Sequence, residues 1–241
     1  MKIVLIYFVL FMIYSFIGWC LEVFGKLIEK KRFINRGFLI GPYCPIYGFG
    51  ALAITLLLGK YTNDWPTLFI MAILVCGTLE YFTSYFMEKI FKARWWDYST
   101  KKFNINGRIC LDTLIPFGLL GLFIMYVSNP ILLNLLNSLA DTTLIIFACA
   151  LSIIFLADNV ISFNVISIVR TTTKGLYKEL DNTEEITKKV KEILLSKSTL
   201  SRRLINAYPK LQTIKQKIKE NTERIKESTD KIKDEIEQRF K

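Results

Sequence analysis

Glu80 and Asp158 are carboxylates in places where carboxylates are expensive. Glu80 lies in TLFIMAILVCGTLEYFTSYFMEKI and Asp158 in LIIFACALSIIFLADNVISFNVISIV. Each run is long enough to cross a membrane, which takes about 20 helical residues. An ionised carboxylate at bilayer depth costs at least ~2.5–3.5 kcal/mol on insertion scales, so it faces a partner or a wet cavity. Such groups bind cations or act as acids and bases, and together they point to an internal polar site for transport or for chemistry on a membrane-borne substrate. The structural alternative is an interhelical hydrogen bond that only ties spans together.

The residue inventory bounds that chemistry. Histidine is absent, which removes Ser-His-Asp and Cys-His catalysis, His metal ligands and a His-based pH switch. The five cysteines (Cys20, Cys44, Cys76, Cys110 and Cys149) form no C-x-x-C pair, so neither a disulfide framework nor a zinc site is expected. No metal or other cofactor is expected. There is no G-x-x-x-x-G-K-[ST] phosphate loop, so transport driven by ATP would need a separate ATPase subunit.

Three constellations could carry a site. The first is R-G-F-L-I-G-P-Y-C-P-I-Y-G-F-G, from Arg36 to Gly50. Its prolines lack an N–H and its glycines permit close approach, so a regular helix is not expected through 41–50. Irregular backbone at membrane depth survives only where it lines a cavity or is buried in protein. Gly41, Pro42, Cys44, Pro45, Tyr47 and Gly48 are therefore the expected cavity-lining motif; a loop tucked into the interface is the plainer reading. The second is R-W-W-D-Y-S, Arg94 to Ser99, followed by Asn104, Gly107 and Arg108. Trp95, Trp96 and Tyr98 suit an aromatic anchor at the headgroup boundary, which leaves Asp97 unexplained. The third is the set of charges near span ends: Glu22, Arg36, Glu80, Asp97 and Arg108, with Asp158 deeper. Arginine can hold a carboxylate or a phosphate bidentately, so Glu80 should face Arg36, Arg108 or a cavity. Ordinary solvation at helix ends accounts equally for Glu22, Arg36 and Arg108 taken singly.

The elements that must position these groups are helical. The 241-residue chain is 52% hydrophobic and 14% aromatic, above the usual range for a soluble domain. The expected fold is all-α: a polytopic helical membrane protein with about five spans, at 3–24, 42–59, 67–90, 109–128 and 143–169, the second being the weakest. Basic residues number five in 25–41 and six in 89–108, whereas the other connections hold only Lys2 and Lys60. By the positive-inside rule the N-terminus lies outside the cell membrane and the C-terminus in the cytoplasm. Segment 129–142 is apolar but short, and reads as an interfacial stretch or a re-entrant turn.

Residues 1–169, the transmembrane domain, hold 13 basic and 9 acidic groups, and the tail 170–241 holds 19 and 12. The tail reads as a basic cytoplasmic helical module. An amphipathic helix is expected over 182–207, with Pro209 as a breaker. Beyond it Leu211, Ile218, Ile225 and Ile232 recur every seven residues, with Ile214 and Ile236 in neighbouring positions. That is a coiled-coil pattern; a solvated helix with one apolar stripe fits as well. The basic charge favours anionic membrane lipid. Nucleic acid is excluded as a partner, because the tail is almost as acidic as it is basic and has few aromatics to stack bases.

Gly18-Trp19 and Glu22, then R-G-F-L-I-G-P-Y-C-P-I-Y-G, Glu80, W-W-D-Y-S and N-I-N-G-R-I-C resemble a family of bacterial integral membrane proteins. The family carries the label putative ABC-transporter permease (ABC-transporter type IV, CmpB-like), and the resemblance covers roughly residues 1–130. It implies a permease component served by a separate ATPase, and brings no catalytic residues with it. From the residues themselves three functions stand. A permease would line its route with Glu22, Glu80 and Asp158; five spans in one copy are few for a pathway, which a homodimer would answer. A membrane-embedded enzyme acting on a lipid or isoprenoid phosphate would hold phosphate with Arg36 and Arg108 and use Glu80 or Asp97 as acid or base. A non-catalytic scaffold would use the tail to pair with a partner helix.

Overall fold

The computed structural model describes residues 2–91, 93–179, 183–208 and 211–213. The protein is an all-α polytopic bundle. Its helices are α1 (Lys2–Lys30), α2 (Pro45–Leu57), α3 (Trp65–Phe91), α4 (Leu111–Phe123), α5 (Asn129–Ser138), α6 (Asp141–Glu179), α7 (Thr183–Lys197) and α8 (Thr199–Ala207). Two antiparallel ladders of two residues each clip the connections: β1 (Ala93–Arg94) with β4 (Gln212–Thr213), and β2 (Asn104–Ile105) with β3 (Ile109–Cys110).

Four stretches are long and apolar enough to cross a membrane: Lys2–Lys30, Trp65–Phe91, Leu111–Ser138 and Asp141–Thr173. The fifth expected span is not a full helix. α2 has 13 residues, about 20 Å of rise against a hydrocarbon core of ~30 Å. Its start is deep in the bundle, since the Cys44 N–H donates to the Ser15 carbonyl of α1 at 2.8 Å. Residues 36–44 thus reach the middle of α1 as irregular backbone, and α2 completes the passage alongside α1. The irregular stretch ends at Cys44, short of Gly50, because Pro45 occupies the first helical turn, where its missing N–H costs nothing. α2 can approach α1 because Gly18 faces the Tyr47 ring and Gly48 lies against Ser15 and Phe11, with no room for a Cβ at either position.

Segment 129–142 departs from both expectations. α4 and α5 form one continuous rod through a π-helical turn at Ile124–Ser128. Pro130 cannot donate to the preceding turn, and a π-bulge absorbs the lost bond without ending the helix. Side chains at the turn bond between helices: the Tyr14 hydroxyl meets the Ser128 hydroxyl at 2.6 Å and donates to Asn129 Oδ1 at 2.8 Å, and Asn129 Nδ2 donates to Thr55 at 2.9 Å.

At one end of the bundle lie Lys2, Lys60 and the α5–α6 junction, where Lys2 pairs with Asp141 at 2.8 Å. At the other end lie the basic connections, α7 and α8. α6 passes through residue 170 without a break. Ile186, Val190 and Leu194 of α7 form an i, i+4, i+8 stripe buried with Ile166 and Val169 of α6 and with Phe91 and Trp95. Each such side chain is worth ~1.5–3 kcal/mol on burial. The amphipathic stretch divides at Ser198, which caps α8 by accepting the Ser201 N–H at 3.1 Å. Pro209 and the heptad positions from Ile214 onward lie outside the described residues; Leu211 is buried in this second core.

Candidate functional site: a buried loop and the cavity beside it

Backbone that enters a bundle without helical bonds must find partners elsewhere. For residues 36–41 these come chiefly from three side chains far away in sequence. Asp158 accepts the Ile40 N–H at 2.9 Å and the Gly41 N–H at 2.6 Å, and also binds the Tyr43 hydroxyl at 2.5 Å and the Ser162 hydroxyl at 2.7 Å. From the opposite side the Arg203 guanidinium of α8 donates to the carbonyls of Gly37 at 3.1 Å, Phe38 at 3.3 Å and Leu39 at 2.7 Å. The Tyr208 hydroxyl donates to the Arg36 carbonyl at 3.1 Å. A carboxylate takes the N–H groups of Ile40 and Gly41 and a guanidinium the carbonyls of residues 37–39, while the Gly37 N–H donates to Asn35 Oδ1 at 3.1 Å, so the segment is held without a helix.

Below this loop is a cavity of about 160 Å³ between α1, α2, α3 and α4. Its polar wall is Glu22, Arg36, Tyr47, Glu80, Tyr98 and Tyr208, with Trp96 and Cys44 beside them. Its apolar wall includes Ile54, Leu79, Phe117 and Ile124, behind which Leu10, Leu58, Leu68 and Ala72 close the bundle toward the Lys60 end. A second, open space of about 400 Å³ shares Glu22, Tyr47, Glu80, Tyr98, Phe117 and Leu120 with it. That vestibule lies between the Leu21–Glu29 part of α1 and the Asp112–Leu120 part of α4.

Within the cavity the charges are unequally bound. Glu22 accepts the Tyr47 hydroxyl at 2.9 Å and pairs with the Arg36 guanidinium at 3.4 Å. Arg36 also donates to the Ala207 carbonyl and stacks over the Tyr208 ring at 5.4 Å. Glu80 is 8% exposed and, among the described residues, has two long contacts, Tyr98 at 3.5 Å and Thr113 at 3.4 Å. Among the described residues no lysine or arginine is within ion-pair distance of it. Burial, and then the negative fields of Glu80 and Glu22, push the Tyr98 phenol above its ordinary range; burial does the same for Tyr208. Both line the cavity as neutral phenols, the Tyr98 hydroxyl turned to Glu80 and the Tyr208 ring stacked under Arg36.

The other sequence-selected residues are placed elsewhere. Arg108 pairs with Glu88 at 3.0 Å and lies over the rings of Tyr81 and Tyr85. Asp97 binds Arg94 at 3.2 Å and the Ser99 N–H at 3.0 Å. Glu88 also holds Arg94 at 3.1 Å, so one carboxylate anchors two guanidiniums at the C-terminal end of α3. Of the proline–glycine motif, Cys44 and Tyr47 line the cavity, whereas Gly41, Pro42, Pro45 and Gly48 shape the loop and its contact with α1. Sequence reasoning did not select Glu88, Arg203 or Tyr208, and named Arg94 only as the start of its motif, without a role. Glu88 and Arg94 flank a helix end like ordinary solvated charges, and Arg203 sits in a tail with 19 basic residues.

No curated protein and no solved structure matches the chain. A family model does: putative ABC-transporter type IV, over residues 9–163. The match takes in every cavity-lining residue except Tyr208 and ends just after Asp158 and Ser162, before α7 and α8 begin. With well over half its length covered, and the loop and cavity inside the matched part, the chain belongs to the putative ABC-transporter type IV family.

Proposed function

We propose that this chain is the permease-type membrane component of a transport complex, with the cavity at Glu22, Arg36 and Glu80 as its binding site, open toward the cytoplasm. The observation that carries this reading is a polar cavity closed toward the Lys60 end by an apolar core and continuous with an open vestibule at the basic end. A site accessible from one side and sealed on the other is one state of an alternating-access pathway. The positive-inside rule assigns the basic end to the cytoplasm, so the N-terminus is outside and the tail inside. Energy would come from a separate ATPase subunit, for which α7, α8 and the basic connections offer the only large cytoplasmic surface among the described residues. The lipid-phosphate reading has less support, because Arg36 and Arg108 are already engaged by Glu22 and Glu88.

The test uses a cysteine at Glu22, at the mouth of the cavity, in a background without the five native cysteines. A membrane-impermeant thiol reagent should label Glu22→Cys from the cytoplasmic face and not from outside. In inside-out vesicles from the native host, ATP should change the labelling rate. Labelling from outside overturns the orientation, and a rate indifferent to ATP overturns the coupling.

A further inference from the structure

The cavity has a chemistry that selects its occupant. Its carboxylates outnumber its cations: Glu22 and Glu80 face it with Arg36 alone, and Arg36 is held by Glu22 and by the Ala207 carbonyl. The vestibule adds Glu29 and Asp112 against Lys26; Lys26 is paired with Glu29, and Asp112 with Lys101 at 3.1 Å. Glu80 is more than nine-tenths buried and bonded only at 3.4–3.5 Å. A carboxylate in that condition lacks the cation or strong donors that normally offset its desolvation. Tyr98 touches it, and Tyr47, Trp96 and Tyr208 line the same cavity. Aromatic rings in a cavity with a carboxylate form the usual surroundings of an ammonium group, which they attract through the ring quadrupole.

The shape supplies a second constraint. The rest of the cavity wall is apolar, and the vestibule leads out between α1 and α4. The flanks of that gap, Leu21 and Phe24 on α1 and Ile115 and Leu119 on α4, are apolar and exposed. In a bundle that sits in a bilayer they face acyl chains, so the gap opens sideways at the level of the inner leaflet as well as toward the cytoplasm.

We propose that the cavity binds a cationic amphiphile, with its amine or quaternary ammonium head between Glu80, Glu22 and the tyrosine rings and its apolar chain passing out through the gap between α1 and α4. This rests on the reading of the cavity as the binding site and names the class of ligand it takes. Anionic headgroups are disfavoured, since no cation of the cavity is without a partner among the described residues.

The experiment uses the full chain in uncharged maltoside micelles. The probe is trimethylammonium-diphenylhexatriene, which accepts energy from tryptophan; its carboxylate analogue is the control. The cationic probe should quench tryptophan emission saturably, and the carboxylate probe should show only the linear partition seen in micelles. Glu80→Gln should weaken the cationic probe about tenfold or more, the loss expected for one contact to a charged group. Gly50→Leu leaves every charge in place and fills the cavity: a Cβ there meets only Cys76 and Leu79 at ordinary distances. It should abolish saturable binding while the protein elutes and melts like the wild type. Dodecyltrimethylammonium should displace the probe, and tetramethylammonium should fail to.

Equal saturable binding of the carboxylate probe would overturn the charge assignment while leaving the cavity as a site. Displacement by tetramethylammonium as effective as by the long chain would overturn the amphiphile. Binding indifferent to Gly50→Leu would overturn the location. None of these outcomes bears on the cysteine-labelling result, so this inference and the proposed function fail separately.

Discussion

Asp158 and Glu80 are the same kind of group in the same kind of place, and the fold treats them in opposite ways. Both sit within long apolar helices, and they are 7% and 8% exposed. Asp158 has four donors at 2.5–2.9 Å, two of them backbone N–H groups of a segment that has no other partners for them. Glu80 has two at the limit of hydrogen bonding and a cavity in front of it. Burial alone therefore does not mark a functional carboxylate; what distinguishes the two is how fully the folded chain satisfies them. The first holds a broken span in place, and the second is left incomplete.

Substitutions at the two positions should separate stability from function. The largest effect is expected at Asp158. Asp158→Leu strands two N–H groups and two hydroxyls, each costing ~1–3 kcal/mol when buried unsatisfied. Unfolding in detergent should shift by about 3–5 kcal/mol, or the protein should fail to accumulate. A mild effect there would break the comparison at its structural end.

Glu88→Gln should come next. It weakens the anchor of Arg94 and Arg108, both largely buried, and removing one partner of such a pair costs ~3–5 kcal/mol when it is lost entirely. The amide keeps part of the bonding, so about 2 kcal/mol is expected from thermal unfolding.

Arg203→Gln sharpens the comparison from the other side of the loop. Three carbonyls lose a charged donor, worth about 1.5–3 kcal/mol, but the opening is local. Cys44, buried behind the loop, should become about tenfold more reactive toward a small alkylating reagent while global unfolding moves little. Truncation after Lys178 should do the same more strongly and still leave an inserted core, because the apolar spans precede it. Unchanged Cys44 reactivity in both would mean that the tail does not hold the loop.

The smallest effect on stability is expected at Glu80. Glu80→Gln keeps the shape and the weak bonds and removes a buried charge, so stability should change by less than about 1 kcal/mol or rise. Binding to the cavity should still fall. If Glu80→Gln destabilises as much as Asp158→Leu, the two carboxylates are both structural and the distinction drawn here is lost.

The sequence alone determined what depends on neighbours within a turn or two. Apolar runs with Glu80 and Asp158 inside them required a membrane bundle with internal polar groups. Pro42 and Pro45 among glycines required a break in the second span, though not where it would end. Only the tertiary structure decided which carboxylate was structural, because Asp158 reaches the backbone of Ile40 and Gly41 across 118 and 117 residues. Local pattern carries no information at that range. The continuity of α4 with α5 was also hidden, since 129–142 taken alone is too short to span and only the folded chain shows a π-turn at Ile124–Ser128 joining it to the helix before it. Arg203 and Tyr208 belong to the same class: a tail that looks solvated by composition becomes part of the loop's support once Ile186, Val190 and Leu194 find an apolar surface on α6. Burial against a partner surface, which no single segment encodes, is the physical step that separates the helices the sequence specified from the site they assemble.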